Sequence, residues 1–164
     1  KLNSPKTFVN WSQSNQNKFN NIDNIKFFNN GKYKKLSKIT NAKINNNILG
    51  KGDNLFFSDK KGNVGVYSLS SNRLIYKYNF YKKKMKKTNK DIEILLKDES
   101  IIVTDNFGYI YSLDYKNNKV NWAKNYLIPF RSNSKIIDNI LFVSDEKNKI
   151  ILINIKDGKK IDEF

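Results

Sequence analysis

The sequence predicts an all-β chain, and three observations carry that prediction. Apolar residues come in short β-branched or aromatic runs, such as Leu55-Phe56-Phe57, Ile101-Ile102-Val103 and Leu141-Phe142-Val143. Further runs follow closely, as in Val64-Gly65-Val66-Tyr67-Ser68-Leu69 and Tyr109-Ile110-Tyr111-Ser112-Leu113. Asn and Asp supply turn signals between them, and no segment holds a 3.6-residue apolar stripe over three turns.

A repeat sets the architecture. Windows that start at Asp59, Asp105 and Asp145 align without a gap over eighteen positions, and the starts lie 46 and 40 residues apart. Gly62, Gly108 and Asn148 stand three residues after each Asp. Asn72, Asn118 and Gly158 stand thirteen after, and Tyr76, Trp122 and Asp162 seventeen after. Asp-x-x-Gly and Asp-x-x-Asn suit a tight hairpin turn, because Asp accepts from local backbone amides and Gly or Asn tolerates positive φ. The second Asn/Gly set marks another hairpin. Upstream of each Asp lies an apolar strand, and before it a shorter one: Ile48-Leu49, Ile94-Leu95-Leu96 and Ile136-Ile137. Four strands joined by hairpins, in a unit of 40 to 46 residues, make one blade of a β-propeller.

Taken in order, the elements are these. Residues 1–32 are Asn- and Ser-rich and read as an irregular lead-in, anchored by Phe8, Trp11, Phe19, Phe27 and Phe28. Tyr33 to Thr40 reads as a lone strand, within a closing segment over 33–42. Blade 1 spans 43–80. A Lys-rich loop over 81–90 carries Lys82, Lys83, Lys84, Lys86, Lys87 and Lys90, a charge run expected to be solvated. Blade 2 spans 91–125 and blade 3 spans 126–164. Residues 33–164 thus read as a partial propeller whose ring is incomplete, the N-terminal part of a longer protein.

Composition removes whole classes of chemistry. With no Cys there is no disulfide, thiolate metal site or thiol nucleophile, and with no His there is no Ser-His-Asp triad and no His zinc site. No apolar run is long enough for a membrane-spanning helix. The chain carries 31 Lys+Arg against 15 Asp+Glu, a formal charge of +16. Only Arg73 and Arg131 of those cations are Arg. A surface that reads phosphates favours the bidentate fork of arginine, so the charge permits anionic partners without demanding them. Aromatic residues beside the Lys run, Tyr78, Phe80 and Tyr81, have the composition of a base-stacking surface but equally suit an outer strand. The recurring Asp59, Asp105 and Asp145, with Asp53 and Asp98, read as turn formers; Asp91, Glu93, Asp162 and Glu163 read as single-face charges without a partner. No catalytic, cofactor-binding or metal-binding residue is assigned.

The run Ser112-Leu113-Asp114-Tyr115-Lys116-Asn117-Asn118-Lys119-Val120-Asn121-Trp122 resembles the tryptophan-docking motif of the quinoprotein-type (PQQ-like) propeller repeats. Ser112 stands for its small residue, Asp114 for its acid, Asn118 for its Gly and Trp122 for its Trp. Val66 to Tyr76 keeps the spacing with Tyr76 at the Trp position, and Leu152 to Asp162 keeps Gly158 but ends on Asp162. The resemblance implies that the Trp ring packs between blades, a structural role. Asn10-Trp11-Ser12-Gln13, followed by Asn15 and Asn17, resembles the Asn-Trp-x-Gln entry of one subfamily, the propeller lipoproteins of the bacterial outer-membrane β-barrel assembly machine. That resemblance implies a non-enzymatic scaffold at the periplasmic face of the outer membrane. Its implied partners are a barrel-assembly subunit and unfolded outer-membrane proteins, with no cofactor and no nucleic acid. The alternatives are a quinone-dependent dehydrogenase and a propeller that binds an anionic partner.

Overall fold

The computed structural model describes residues 4–7, 10–26, 35–81, 85 and 87–164. Twelve strands form three four-stranded antiparallel sheets, with no α-helix among the described residues. Blade 1 is β1 (Leu49–Lys51), β2 (Asn54–Ser58), β3 (Asn63–Ser68) and β4 (Arg73–Asn79). Blade 2 is β5 (Ile92–Lys97), β6 (Ser100–Asp105), β7 (Tyr109–Asp114) and β8 (Lys119–Asn125). Blade 3 is β9 (Lys135–Ile137), β10 (Ile140–Ser144), β11 (Ile150–Asn154) and β12 (Lys160–Glu163). Within each blade the strands pair in sequence order, as consecutive hairpins must.

The apolar runs are continuous because the middle blade is buried on both faces. Successive side chains of a strand point to opposite faces. Ile94, Leu96, Ile101 and Val103 of blade 2 join Leu49, Phe56, Val64, Val66 and Tyr76 of blade 1 in one core. Leu95, Ile102 and Ile110, on the other face, join Leu141, Val143, Ile151 and Ile153 of blade 3 in a second. Two inter-blade seams therefore hold the fold together, each through apolar area removed from water. Blade 3 leaves its far face bare: Ile137, Ile150 and Ile161 are exposed. The leading face of blade 1 is closed, with Phe57 and Tyr67 buried. Ser37 contributes there, its backbone N–H donating to the Tyr67 hydroxyl at 3.0 Å.

One irregularity recurs. Each third-to-fourth strand pairing slips by a residue, between Val66 and Tyr67, Ser112 and Leu113, and Leu152 and Ile153. The residue left over in the outer strand is Ile75, Asn121 or Ile161. Such a bulge re-aims the side chain that follows it, here Tyr76, Trp122 and Asp162.

The described residues depart from the sequence reading at the lone strand, at Phe19 and at Lys90. Of the strand over Tyr33–Thr40, residues 33 and 34 lie outside the described residues and 35–40 form no strand. The hydroxyls of Ser37 and Thr40 hold them instead, bonded to Tyr67 and Asn72 and to Asp59. Phe8, Phe27, Phe28, Lys82, Lys83, Lys84 and Lys86 also lie outside the described residues. Phe19 is no anchor, being 77% exposed, whereas Trp11 packs on the first core. Lys90 is fully buried rather than solvated, because its Nζ donates to the carbonyls of Met85 and Thr88 and lies over the Tyr81 ring.

Candidate functional site

The repeated Asp turns are built alike. In each, one carboxylate oxygen accepts two backbone N–H groups across the hairpin. Asp59 Oδ1 accepts from Lys61 and Asn63, both at 3.0 Å. Asp105 Oδ1 accepts from Phe107 at 2.9 Å and Tyr109 at 2.8 Å. Asp145 Oδ1 accepts from Lys147 at 2.8 Å and Lys149 at 3.0 Å. Gly62, Gly108 and Asn148 take φ of 90°, 83° and 64° there, where a β-carbon is costly. At Gly108 it is also blocked, since a Cβ would sit 2.5 Å from the Ile128 carbonyl oxygen.

The second oxygens of Asp59 and Asp105 reach an earlier part of the chain. Asp59 Oδ2 accepts from the Thr40 hydroxyl and Asp105 Oδ2 from the Tyr81 hydroxyl, both at 2.6 Å. Asp145 Oδ2 is buried and has no partner among the described residues. Leu127, two residues past the end of β8 as Tyr81 is past the end of β4, has no hydroxyl and is exposed. Burial pushes the Asp105 carboxyl above its ordinary range, and burial beside Asp105 pushes the Tyr81 phenol up as well.

The docking positions sit across the seams. Asn72, Asn118 and Gly158 hold φ of 52°, 52° and 68° in the outer hairpins. The Trp122 ring lies over Gly158, where an added Cβ would come 2.6 Å from Cε3. The Trp122 indole N–H donates to the Ile155 carbonyl of blade 3 at 2.9 Å. Tyr76 is buried in the first core, and its hydroxyl has no partner among the described residues. Burial pushes that phenol up to about 12. Asp162 is exposed and accepts from the Glu163 backbone N–H. Tyr78, Phe80 and Tyr81 spend their faces on the seam: Phe80 stacks on Tyr111 at 3.9 Å between centroids and contacts Tyr78 and Tyr81.

Sequence reasoning missed the axis. The segment Trp11–Gln13 runs along the free edges of the innermost strands of all three blades. Trp11 and Gly50 of β1 exchange backbone bonds of 2.7 and 3.0 Å. Leu96 N–H of β5 donates to the Ser12 carbonyl at 2.7 Å. The Gln13 side chain imitates a backbone pair: its amide donates to the Ile136 carbonyl of β9 at 3.3 Å and accepts the Ile136 N–H at 3.0 Å. The Asn10-Trp11-Ser12-Gln13 motif was visible, but nothing local announced which strands it meets. Three acidic residues read as partnerless also have partners. Asp91 pairs with Lys60, Glu93 Oε2 accepts the Ser134 N–H at 2.6 Å, and Glu163 pairs with Lys149 and Lys160 at 3.1 Å each. Beside the inner strands lies a polar cleft of about 310 Å³ between the blades, lined by Asn45, Glu93 and Asp105 among others. No group of three His, Cys, Asp or Glu able to hold a metal ion occurs among the described residues.

These blades, seams and Asp turns define a PQQ-like β-propeller fold, left open beyond blade 3. No family model matches the sequence, and no curated protein matches it. Solved structures do. BamB from Moraxella catarrhalis superposes with a TM-score of 0.56 at 12% identity, over 74% of this chain and 36% of that one. Quinohemoprotein alcohol dehydrogenase from Comamonas testosteroni gives 0.63 at 11% identity, over 75% of this chain and 21% of that one. The computationally designed Ika4 protein gives 0.64 at 10% identity, over 79% of this chain and 76% of that one. The chain thus spans about a third of BamB and a fifth of the dehydrogenase, and the likeness is one of fold.

Proposed function

We propose that the chain is part of a non-enzymatic propeller platform that binds other proteins during assembly and insertion of β-barrel proteins into the bacterial outer membrane, on its periplasmic side. The observation that carries this reading is the axial segment. Its Asn-Trp-Ser-Gln motif is the BamB-like entry, and it bonds to Gly50, Leu96 and Ile136 on the inner edges of all three blades. A propeller platform of this kind works through its rims and edges. Strand β12 offers such an edge, exposed along its whole length, and an exposed edge pairs readily with an extended client. No helix among the described residues is long and apolar enough to cross a membrane.

The second reading, a quinone-dependent dehydrogenase, rests on the fold shared with the quinohemoprotein enzyme. A quinone with its calcium needs a set of oxygen ligands, and the described residues, about a fifth of that enzyme's length, offer no group of three His, Cys, Asp or Glu for it. The test is a pull-down of purified barrel-assembly subunit, run beside dye reduction by the same preparation given pyrroloquinoline quinone, Ca²⁺ and an alcohol. Capture without dye reduction is expected. Dye reduction without capture overturns the platform.

A further inference from the structure

The outer strands β4, β8 and β12 each end their sheet, and no described strand pairs with their outer edges. The pairing fixes which backbone groups face outward. Ile150 and Phe164 exchange two backbone bonds, of 3.0 and 2.9 Å, so the next pair, Ile151 and Glu163, is a non-hydrogen-bonded one. Glu163 therefore turns its N–H and C=O away from β11, toward the outer edge. Tyr78 opposite Val64 and Lys124 opposite Ile110 repeat the pairing of Phe164 with Ile150. Lys77 and Ala123 stand where Glu163 does, and their N–H groups face outward as well. Blade 3 closes its edge at this point, because Asp162 Oδ1 accepts the Glu163 N–H at 2.8 Å. Tyr76 and Trp122, the counterparts of Asp162, have no carboxylate and face the seams, which leaves the outward N–H of Lys77 and Ala123 without such a cap.

The three edges also differ in charge. On β4, Arg73, Ile75 and Lys77 alternate as exposed residues, Ile75 at 46%. Neither cation makes an ion pair among the described residues. On β8, Asn121 takes the place of Ile75 and spends its amide on the Ser100 and Ser112 hydroxyls, and Lys119 stands opposite Asp114. On β12, Glu163 is paired with Lys149 and Lys160. Cations on an open edge repel further copies of a chain of net charge +16 and still admit a strand of opposite sign. We propose that the outer edge of β4 takes an extended acidic segment of another protein by strand addition, with two acidic residues against Arg73 and Lys77 and an apolar residue between them against Ile75. Outward backbone groups, Lys77 N–H among them, supply the ladder bonds, and the alternating side chains supply the selectivity. This use of β4 rests on the platform reading for the role of a blade edge, and it sets β4 ahead of β12, where the outward Glu163 amide is already bonded.

The experiment titrates the isotope-labelled protein with the peptide acetyl-Thr-Glu-Thr-Val-Thr-Glu-Thr-amide, following the Ile75 and Lys77 backbone amides by NMR. Saturable shifts in about the millimolar range are expected, with the Glu163 amide unmoved. Two control peptides separate charge from strand pairing. One has Lys in place of both Glu; the other is N-methylated throughout, so that it keeps the charges and loses its ladder donors. Neither should saturate the shifts. The double variant Arg73→Glu, Lys77→Glu should weaken the acidic peptide at least about tenfold and gain the lysine peptide, while the Ile110 and Ile151 amides keep their positions and report an intact fold. Equal binding of either control peptide, an unchanged preference in the charge-swapped variant, or no saturation overturns the proposal. Saturation of the same amides by oligothymidylate at lower concentration also overturns it, in favour of a nucleic-acid contact. Capture of the barrel-assembly subunit is scored separately: capture without peptide binding sinks the edge site alone, and peptide binding without capture sinks the platform alone.

Discussion

Removing the Trp122 ring tests whether the seams hold the fold. In Trp122→Ala the half-buried indole leaves the surface of Gly158, and the Ile155 carbonyl loses its 2.9 Å donor. Full burial would put the loss at about 3–5 kcal/mol; a half-buried ring sets it near the lower end, about 3 kcal/mol. Of this, about 1 kcal/mol belongs to the indole hydrogen bond. Trp122→Phe should keep most of the ring contact and lose mainly that bond. Urea denaturation followed by Trp11 fluorescence and by circular dichroism separates the two. With a slope of about 2 kcal/mol per molar urea, the Ala variant should unfold about 1.5 M earlier and the Phe variant about 0.5 M earlier. A loss below about 1 kcal/mol for Ala, or equal losses for Ala and Phe, would refute the reasoning, the first by placing the ring at the surface.

Two further outcomes follow from buried polar groups. Tyr76→Phe removes a buried hydroxyl that lacks a partner among the described residues and should stabilise by about 1 kcal/mol in the same urea experiment; a loss of stability would reveal a bond at that hydroxyl. Burial raises the Glu93 carboxyl above its ordinary 4.5, against the opposing pull of Ser134 and Lys135. The folded state then holds this proton where the unfolded chain has released it, so the contribution favours folding at low pH and is lost as pH rises through the folded value. Glu93→Gln should accordingly be more stable than the parent at pH 7, with the gain shrinking toward pH 4; a gain independent of pH contradicts the assignment.

The strands and their order were legible because their causes are local. Asp59, Asp105 and Asp145 each recruit amides two and four residues away, and a turn of that kind is written in consecutive residues. The outer-hairpin Asn72, Asn118 and Gly158 are legible for the same reason. Long-range partners were not. Glu93 looked solitary because its donor, Ser134, lies 41 residues on. Lys90 looked solvated because a lysine in a lysine run normally is, and only the carbonyls of Met85 and Thr88 with the Tyr81 ring make its burial affordable. The bulges that aim Tyr76, Trp122 and Asp162 leave no mark in the spacing, since the same one-residue slip occurs in every blade.

The axial segment also imposes a timetable on folding. Its partners lie ever farther along the chain: Trp11 meets Gly50, Ser12 meets Leu96, and Gln13 meets Ile136, 123 residues away. During synthesis Trp11–Gln13 emerge before the strands they meet and must wait for β9 before their last bonds can close. Each blade can form from neighbouring hairpins as it leaves the ribosome, with contacts short in sequence and cheap in loop entropy. The inner edges of those blades stay unpaired in the meantime, the condition in which nascent β-sheets misassociate. Closure of Gln13 onto β9 is the step that ends this exposure, so the slowest phase of folding should belong to the segment Trp11–Gln13, although it is made before any of the three blades.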